Sequence, residues 1–241
     1  MTRLIPLFAA IWIGSAAACS APVRPETLLP LPAEQVALQT AEGQALLRGA
    51  EAAADYGPLS IHFLTQDTPT YCGPASVAMV LNASGIARPP RSNGEPYSLF
   101  DQQNVFNAQS RKVKAPALVR KDGLTLEQLA GFFEAHNAAV TLTRADTLTV
   151  EAFRDTAIRT LSTEGEFLVV NYLRSAMGQE TGGHISPLAA YDADTDMFLI
   201  LDVARYKYPP MWVGAAELHA AMNTQAGPYT RGFVVVRVPA S

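Results

Sequence analysis

The chain has 241 residues, 49% of them hydrophobic, which is enough for one sizeable core and too little for several independent domains. Its formal net charge of −4, without a basic stripe, removes any electrostatic case for nucleic acid. No apolar run is long enough to cross a bilayer as a mature helix, and no internal repeat is present.

The chain opens with MTR, then the apolar run LIPLFAAIWIGSAAA, then Cys19. A short basic start, an apolar stretch and a small-residue end make residues 1–18 a targeting segment. Cys19 directly after AAA resembles a bacterial lipoprotein box, although Ala16 stands where leucine is usual. Ala16 and Ala18 also fit an ordinary signal-peptidase site. The lipoprotein reading is favoured because a cysteine lies at the cut. Lipid on Cys19 would anchor the chain to a membrane without a spanning helix. Residues 19–32, rich in proline and alanine, read as a tether, and residues 33–241 as one catalytic domain.

Residues 33–55 have the Ala/Leu/Glu composition of a helix, and residues 61–65 read as a short extended segment leading to Gln66. The next stretch, QDTPTYCGPASVAMVLNA, carries the most information. It places Cys72 where an extended segment turns into an apolar helix, with Pro74 in the first turn. Unpaired N–H groups at a helix start favour a thiolate. Gln66, six residues upstream, can bring an amide donor beside it. The pair reads as a nucleophile and half of an oxyanion hole, against the commoner fate of a free cysteine as an inert core residue.

RPPRSNGE, residues 88–95, reads as a surface loop. Thr125 with Gln128 has the form of a capping box and starts a helix ending near His136. Residues 139–143 read as a strand, residues 150–162 as an amphipathic helix and residues 167–173 as a buried strand. His184 then opens an apolar segment, and Asp202 closes another, MFLILD, with the acidic DADTD as a hairpin loop between them. Adjacent antiparallel strands would set His184 beside Asp202. His184 could then take the Cys72 proton while Asp202 holds the imidazole tautomer. His62, His136 and His219 lack partners at metal-ligand spacing and read as surface or packing residues, so no metal site is expected. Cys19 and Cys72 are the only cysteines. A lipidated Cys19 would leave Cys72 without a disulfide partner, and an exported free thiol calls for a catalytic reason.

The runs YCGPAS, VVNYLRSAMGQETGGHISPLAAYD and FLILDVARYKYPPMWV, followed by AMNT and TRGFVVV, resemble phytochelatin synthases. The likeness is strongest to short bacterial and cyanobacterial members and covers roughly residues 59–238. It implies a papain-like α+β fold, with a helical lobe carrying the cysteine and an antiparallel sheet lobe carrying histidine and aspartate. It further implies a Cys72–His184–Asp202 triad acting on glutathione, with Gln66 at the oxyanion hole. Substrate-binding candidates lie in the matching motifs: Gly73, Asn171, Arg174, Gly183, Arg205, Lys207, Tyr208 and Arg231. Arginine can grip a carboxylate with both arms, and glutathione carries two carboxylates. Arg231 and Arg174 rank above Lys207.

The expected reaction is cleavage of the Cys–Gly bond of glutathione through a thioester, with water or a second glutathione as acceptor. The chain stops soon after the matching region, without the Cys-rich extension of plant enzymes, so hydrolysis is expected to dominate over phytochelatin synthesis. No cofactor is required in this reading, and Cd²⁺ or Zn²⁺ would act as substrate thiolate complexes. The expected partners are glutathione, γ-Glu-Cys peptides and a membrane through Cys19, in a bacterial periplasm, with a homodimer left open and no nucleic acid. Two other readings stand beside it. One is a C39-like leader peptidase, since Gln-x5-Cys-Gly opens that family too. The other is an inactive lipoprotein that binds thiols or metal–thiolate complexes.

Overall fold

The computed structural model of the chain describes residues 28–89 and 98–238. The targeting segment, Cys19, most of the tether and most of the 88–95 loop lie outside those residues. The first half runs strand β1 (Val36–Ala37), then helices α1 (Ala41–Gly49), α2 (Tyr56–Ile61), α3 (Cys72–Ala83), α4 (Ser110–Val113), α5 (Pro116–Asp122) and α6 (Leu126–Glu134). The second half runs β2 (Ala139–Arg144), α7 (Val150–Leu161), β3 (Glu166–Leu173), β4 (Gly183–Asp192), β5 (Met197–Ile200), β6 (Met211–Gly214), α8 (Ala215–Met222), β7 (Gln225–Ala226), β8 (Tyr229–Thr230) and β9 (Gly232–Arg237).

One antiparallel sheet of seven strands, ordered β1-β6-β5-β4-β3-β9-β2, organises the molecule. Its central strands are apolar on both faces. In β3, Val169 packs with the α3 and α6 side of the core, whereas Leu168 and Val170 pack with α7 and α8. Alternate side chains point to opposite faces of a strand, so continuous runs such as FLVV and FVVV require cover on both sides. The α+β arrangement implied by the resemblance is therefore present, with the cysteine on a helix facing an antiparallel sheet. Helices α7 and α8 add a third layer behind it.

Helix α3 is buried from Cys72 through Asn82. A helix that is apolar all round is held by its surroundings rather than by its ends. Its N-cap residue, Tyr71, makes no side-chain capping bond. Val77, Met79 and Leu81 are fully buried, and each such side chain stabilises the fold by roughly 1.5–3 kcal/mol. Asn82, the polar exception, pairs its amide with the backbone of Phe100 at 2.9 and 2.8 Å. Core packing thus fixes the position of Cys72.

Residues 33–55 are not one helix. Val36–Ala37 pairs with Trp212–Met211 as an edge strand, and Thr40 accepts from Gly43 N at 3.0 Å to start α1 afresh. Side-chain capping and strand pairing override the Ala/Leu/Glu helix preference. Ile61 belongs to α2 rather than to an extended run. The other expectations match closely. Thr125 and Gln128 form the reciprocal capping box of α6, and α7, β2 and β3 fall within a residue or so of their expected bounds. DADTD closes the β4–β5 hairpin, with Asp196 at φ 54° and Thr195 N bonded to Asp192 Oδ1 at 3.0 Å.

Candidate active site

Beyond β5 the chain stays beside β4, through Leu201 N to Pro187 O at 3.0 Å and Val203 N to Ser186 Oγ at 3.3 Å. That continuation sets Asp202 against His184, which lies at the start of β4. His184 Nε2 is 2.9 Å from Asp202 Oδ1 and 3.0 Å from Ser186 Oγ, leaving Nδ1 for the thiol. Cys72 lines the same cavity as this imidazole, and the two groups shift one another's ionisation. Ser76, one turn into α3, donates to Ile185 O at 3.2 Å and pins the helix beside His184.

Burial pushes the Cys72 thiol up, but the hydrogen bond and charge of His184 outweigh it and leave the thiol below its ordinary value. Burial pulls His184 down, yet the Asp202 carboxylate raises it overall. Burial also works against ionised Asp202, and His184 and Arg174 hold it down to about 2. These shifts favour a thiolate–imidazolium pair supported by an ionised carboxylate.

The pair opens onto a cavity of about 470 Å³ between the two halves. Thr70, Cys72 and residues 122–125 form one wall. Asn171, Gly183, His184, the β7–β8 turn and Arg231 form the other. The start of α3 packs tightly against the first wall, since a Cβ at Gly73 would lie 2.6 Å from Leu124. A Cβ at Gly183 would lie 3.3 Å from Arg231 Nη2, so glycine there lets the guanidinium sit flat against the strand. Arg231 is anchored by Thr224 Oγ1 at 2.9 Å and Gln225 O at 2.5 Å, and has no carboxylate partner among the described residues. Partial burial lowers its pKa. A half-buried cation without a counter-ion beside a nucleophile is suited to an anionic substrate.

A family model described as phytochelatin synthase matches residues 27–233. The chain belongs to the phytochelatin synthase family. Glutathione gamma-glutamylcysteinyltransferase 3 of Lotus japonicus is 38% identical over 178 residues, covering 73% of this chain and 36% of that protein. Glutathione gamma-glutamylcysteinyltransferase 1 of Triticum aestivum is 38% identical over 216 residues, 87% of this chain and 41% of that one. The protein of that name from Schizosaccharomyces pombe is 27% identical over 184 residues, 76% and 43% respectively. The chain thus spans about two fifths of the length of these curated relatives.

Within this phytochelatin synthase domain several candidate residues lie away from the cleft. Arg174 is 3% exposed, and its Nη2 lies 2.9 and 2.7 Å from the two oxygens of Asp202. It braces Asp202 and does not line the cavity. Arg205 is exposed and stacks 4.6 Å from the Phe63 ring centroid. Lys207 pairs with Glu180 at 2.7 Å. Tyr208 is buried beneath Arg174, and its hydroxyl accepts from Glu180 N at 2.8 Å. Gln66 is buried, with Nε2 on Thr68 O at 2.8 Å and Tyr206 Oη at 2.9 Å, and does not line the cavity. Gly73 makes room for packing, whereas Asn171, Gly183 and Arg231 do line the cavity.

Sequence reasoning passed over Ser186, whose hydroxyl touches His184, and Tyr172. The Tyr172 ring lies edge-on to the imidazole, with centroids 5.6 Å apart. Burial, and then the Asp202 charge, hold its phenol well above the ordinary range. Cross-strand pairing of Tyr172 with His184 in the β3–β4 register is the signal that could have found it. His136 and His219 are packing residues, bonded to Val105 O at 3.0 Å and Ala145 O at 3.2 Å.

Proposed function

We propose that the chain is a cysteine-dependent γ-glutamylcysteine dipeptidyl transferase and hydrolase that cleaves the Cys–Gly bond of glutathione. The observation that carries this reading is one cleft holding both the Cys72–His184–Asp202 chain and the carboxylate-free guanidinium of Arg231. The names of the relatives support glutathione as the donor.

The Cys72 thiolate attacks the carbonyl between cysteine and glycine. The resulting oxyanion faces the N–H of Cys72, which has no partner within its helix. Gln66, held off the cavity by Thr68 O and Tyr206 Oη, becomes a second donor once its amide leaves Thr68 O and turns toward Cys72. Imidazolium His184 gives its proton to the leaving glycine amine, and the C–N bond breaks to leave a γ-glutamylcysteinyl thioester. His184 then takes a proton from water, which attacks the thioester and frees γ-glutamylcysteine and the thiol. Arg231 and Asn171 hold the acyl group. When the α-amine of a second glutathione replaces water, the product is a phytochelatin of two repeats.

Hydrolysis dominates in this reading because Arg231 is the one arginine or lysine lining the described cavity. Aminolysis needs the acceptor held in place to remove its entropic barrier, and glutathione bears carboxylates at both ends. Cd²⁺ or Zn²⁺ enters as a thiolate complex of the substrate. The test is product analysis at several glutathione and Cd²⁺ concentrations. Mainly γ-glutamylcysteine and glycine are expected. Absence of glycine release refutes the reaction, and dominant phytochelatin at low glutathione refutes the hydrolytic emphasis.

The same proposal places the chain outside the cytoplasm with lipid on Cys19, supported by the apolar start that ends at that residue. Metabolic labelling with a fatty-acid analogue checks this. Label lost in Cys19→Ala is the expected result, and label retained there refutes the anchor.

A further inference from the structure

Behind Asp202 a single file of polar side chains leads away from the cleft. Arg174 Nη1 donates to Gln179 Oε1 at 2.6 Å. Gln179 Nε2 donates to Gln35 Oε1 at 2.8 Å. Gln35 Nε2 donates to Glu217 Oε1 at 2.8 Å and to Met177 O at 2.9 Å. Each amide offers its oxygen toward Arg174 and its nitrogen toward Glu217. Turning either one over would set donor against donor, or acceptor against acceptor. The cation at one end and the carboxylate at the other therefore fix the direction of the file. Gln35, Gln179 and Arg174 are 6%, 8% and 3% exposed, so water cannot readily replace a missing member.

Gln35 comes from the far end of the sequence. It lies just before β1, on a strap tied to the sheet region by Leu29 N to Lys207 O and Leu38 N to Pro210 O, both 2.8 Å. Gln179 follows the left-handed Gly178, and its own N–H returns to Arg174 O at 3.1 Å. Neither glutamine lines the cavity that holds Cys72. What they touch is the guanidinium that grips Asp202. A guanidinium is planar, so fixing Nη1 fixes the plane in which Nη2 meets the carboxylate.

We infer that Gln35 and Gln179 are positioning residues for the thiol chemistry. They set the Arg174 plane, Arg174 sets the Asp202 carboxylate, and Asp202 sets the His184 imidazole against Cys72. The N-terminal strap is thereby part of the catalytic support. The inference rests on the thiol–imidazole chemistry proposed above and not on glutathione being the substrate.

The test uses the full chain with Gln35→Leu, Gln179→Leu, the double variant and Gln179→Glu, which keeps an acceptor for Arg174. Three quantities are measured: the rate of iodoacetamide alkylation of Cys72, located by peptide mass; kcat and KM for glycine release; and Tm. Gln179→Leu lowers both the alkylation rate and kcat by roughly tenfold, the scale of a slight misplacement transmitted to the reacting atoms, with KM within about twofold. Gln35→Leu acts in the same direction by at least about threefold, and the double variant is no worse than Gln179→Leu because both break one chain. Gln179→Glu restores most of the rate. If Gln179→Leu fails to fold, Gln35→Leu decides, since it leaves Arg174 and Gln179 paired. Leu variants that lose Tm but keep the alkylation rate and kcat within about twofold would overturn the inference. So would losses that multiply in the double variant. If the parent does not cleave glutathione, the alkylation rates still decide this point.

Discussion

Arg174 holds the Asp202 carboxylate through Nη2, 2.9 and 2.7 Å from its two oxygens, with neither side chain more than 4% exposed. Asp202 is fully buried, and it also receives Ala204 N at 2.8 Å and His184 Nε2 at 2.9 Å. A buried carboxylate gathering that many donors stays ionised, which is what an imidazolium beside a thiolate requires.

Removing the guanidinium therefore injures the fold and the chemistry together. Arg174→Leu leaves Asp202 without its permanently charged partner and is expected to cost about 3–5 kcal/mol of unfolding free energy. Its kcat falls while KM for glutathione changes little, because Arg174 does not face the cleft. Arg174→Lys keeps the charge without the planar fork and falls between. Denaturant unfolding and steady-state kinetics measure this. A raised KM with normal stability and kcat would return Arg174 to a substrate-binding role.

The nucleophile and base act as one unit. Cys72→Ser is expected to lower glycine release by about a thousandfold or more with the fold intact, because a hydroxyl is far less ionised than this thiol. His184→Ala is nearly as damaging, and Asp202→Asn leaves more activity. Circular dichroism and glycine assays on purified variants check the series. Normal turnover by folded Cys72→Ser would remove the nucleophile assignment.

The pH dependence follows from the directions of the shifts. Cys72 is lowered, so thiolate forms below the ordinary thiol range, and His184 is raised, so imidazolium persists above the ordinary imidazole value of 6.5. Both shifts move toward an ion pair, which is populated where the lowered thiol range falls below the raised imidazole range. The profile of kcat/KM is thus expected to be a bell, rising below the usual thiol range and falling above 6.5. A rising limb at the ordinary thiol position would show that no ion pair forms.

Two arginines from the matching motifs should behave in opposite ways. Arg231→Ala removes the proposed charged contact to substrate and is expected to lower kcat/KM by about tenfold to a hundredfold, mostly through KM. Arg205→Ala, exposed and stacked on Phe63, is expected to change it less than about twofold. Kinetics with glutathione compare them. Equal losses would mean that Arg205 reaches the substrate.

The grouping of Cys72, His184 and Asp202 was legible because the three residues carry local signals. Cys72 sits where helix α3 begins, and His184 and Asp202 flank an acidic turn between apolar strands. Helix α6 was legible from its Thr125–Gln128 box. Residues 33–55 misled because composition reports helix preference and not the pairing of Val36–Ala37 with β6. Arg174 misled because an arginine inside a motif looks the same whether it grips substrate or a buried aspartate. The Gln35–Gln179 contact joins residues 144 positions apart, and no local pattern announces it.

The most direct test traps the acyl-enzyme. The protein is mixed with glutathione, quenched in acid within one turnover, and its peptides are weighed. The Cys72 peptide is expected to gain the mass of glutathione less that of free glycine, in a form released by hydroxylamine and absent from His184→Ala. Release of glycine with Cys72 unmodified at every time, or a gain of a whole glutathione reversed by dithiothreitol, would contradict thioester catalysis at this cysteine.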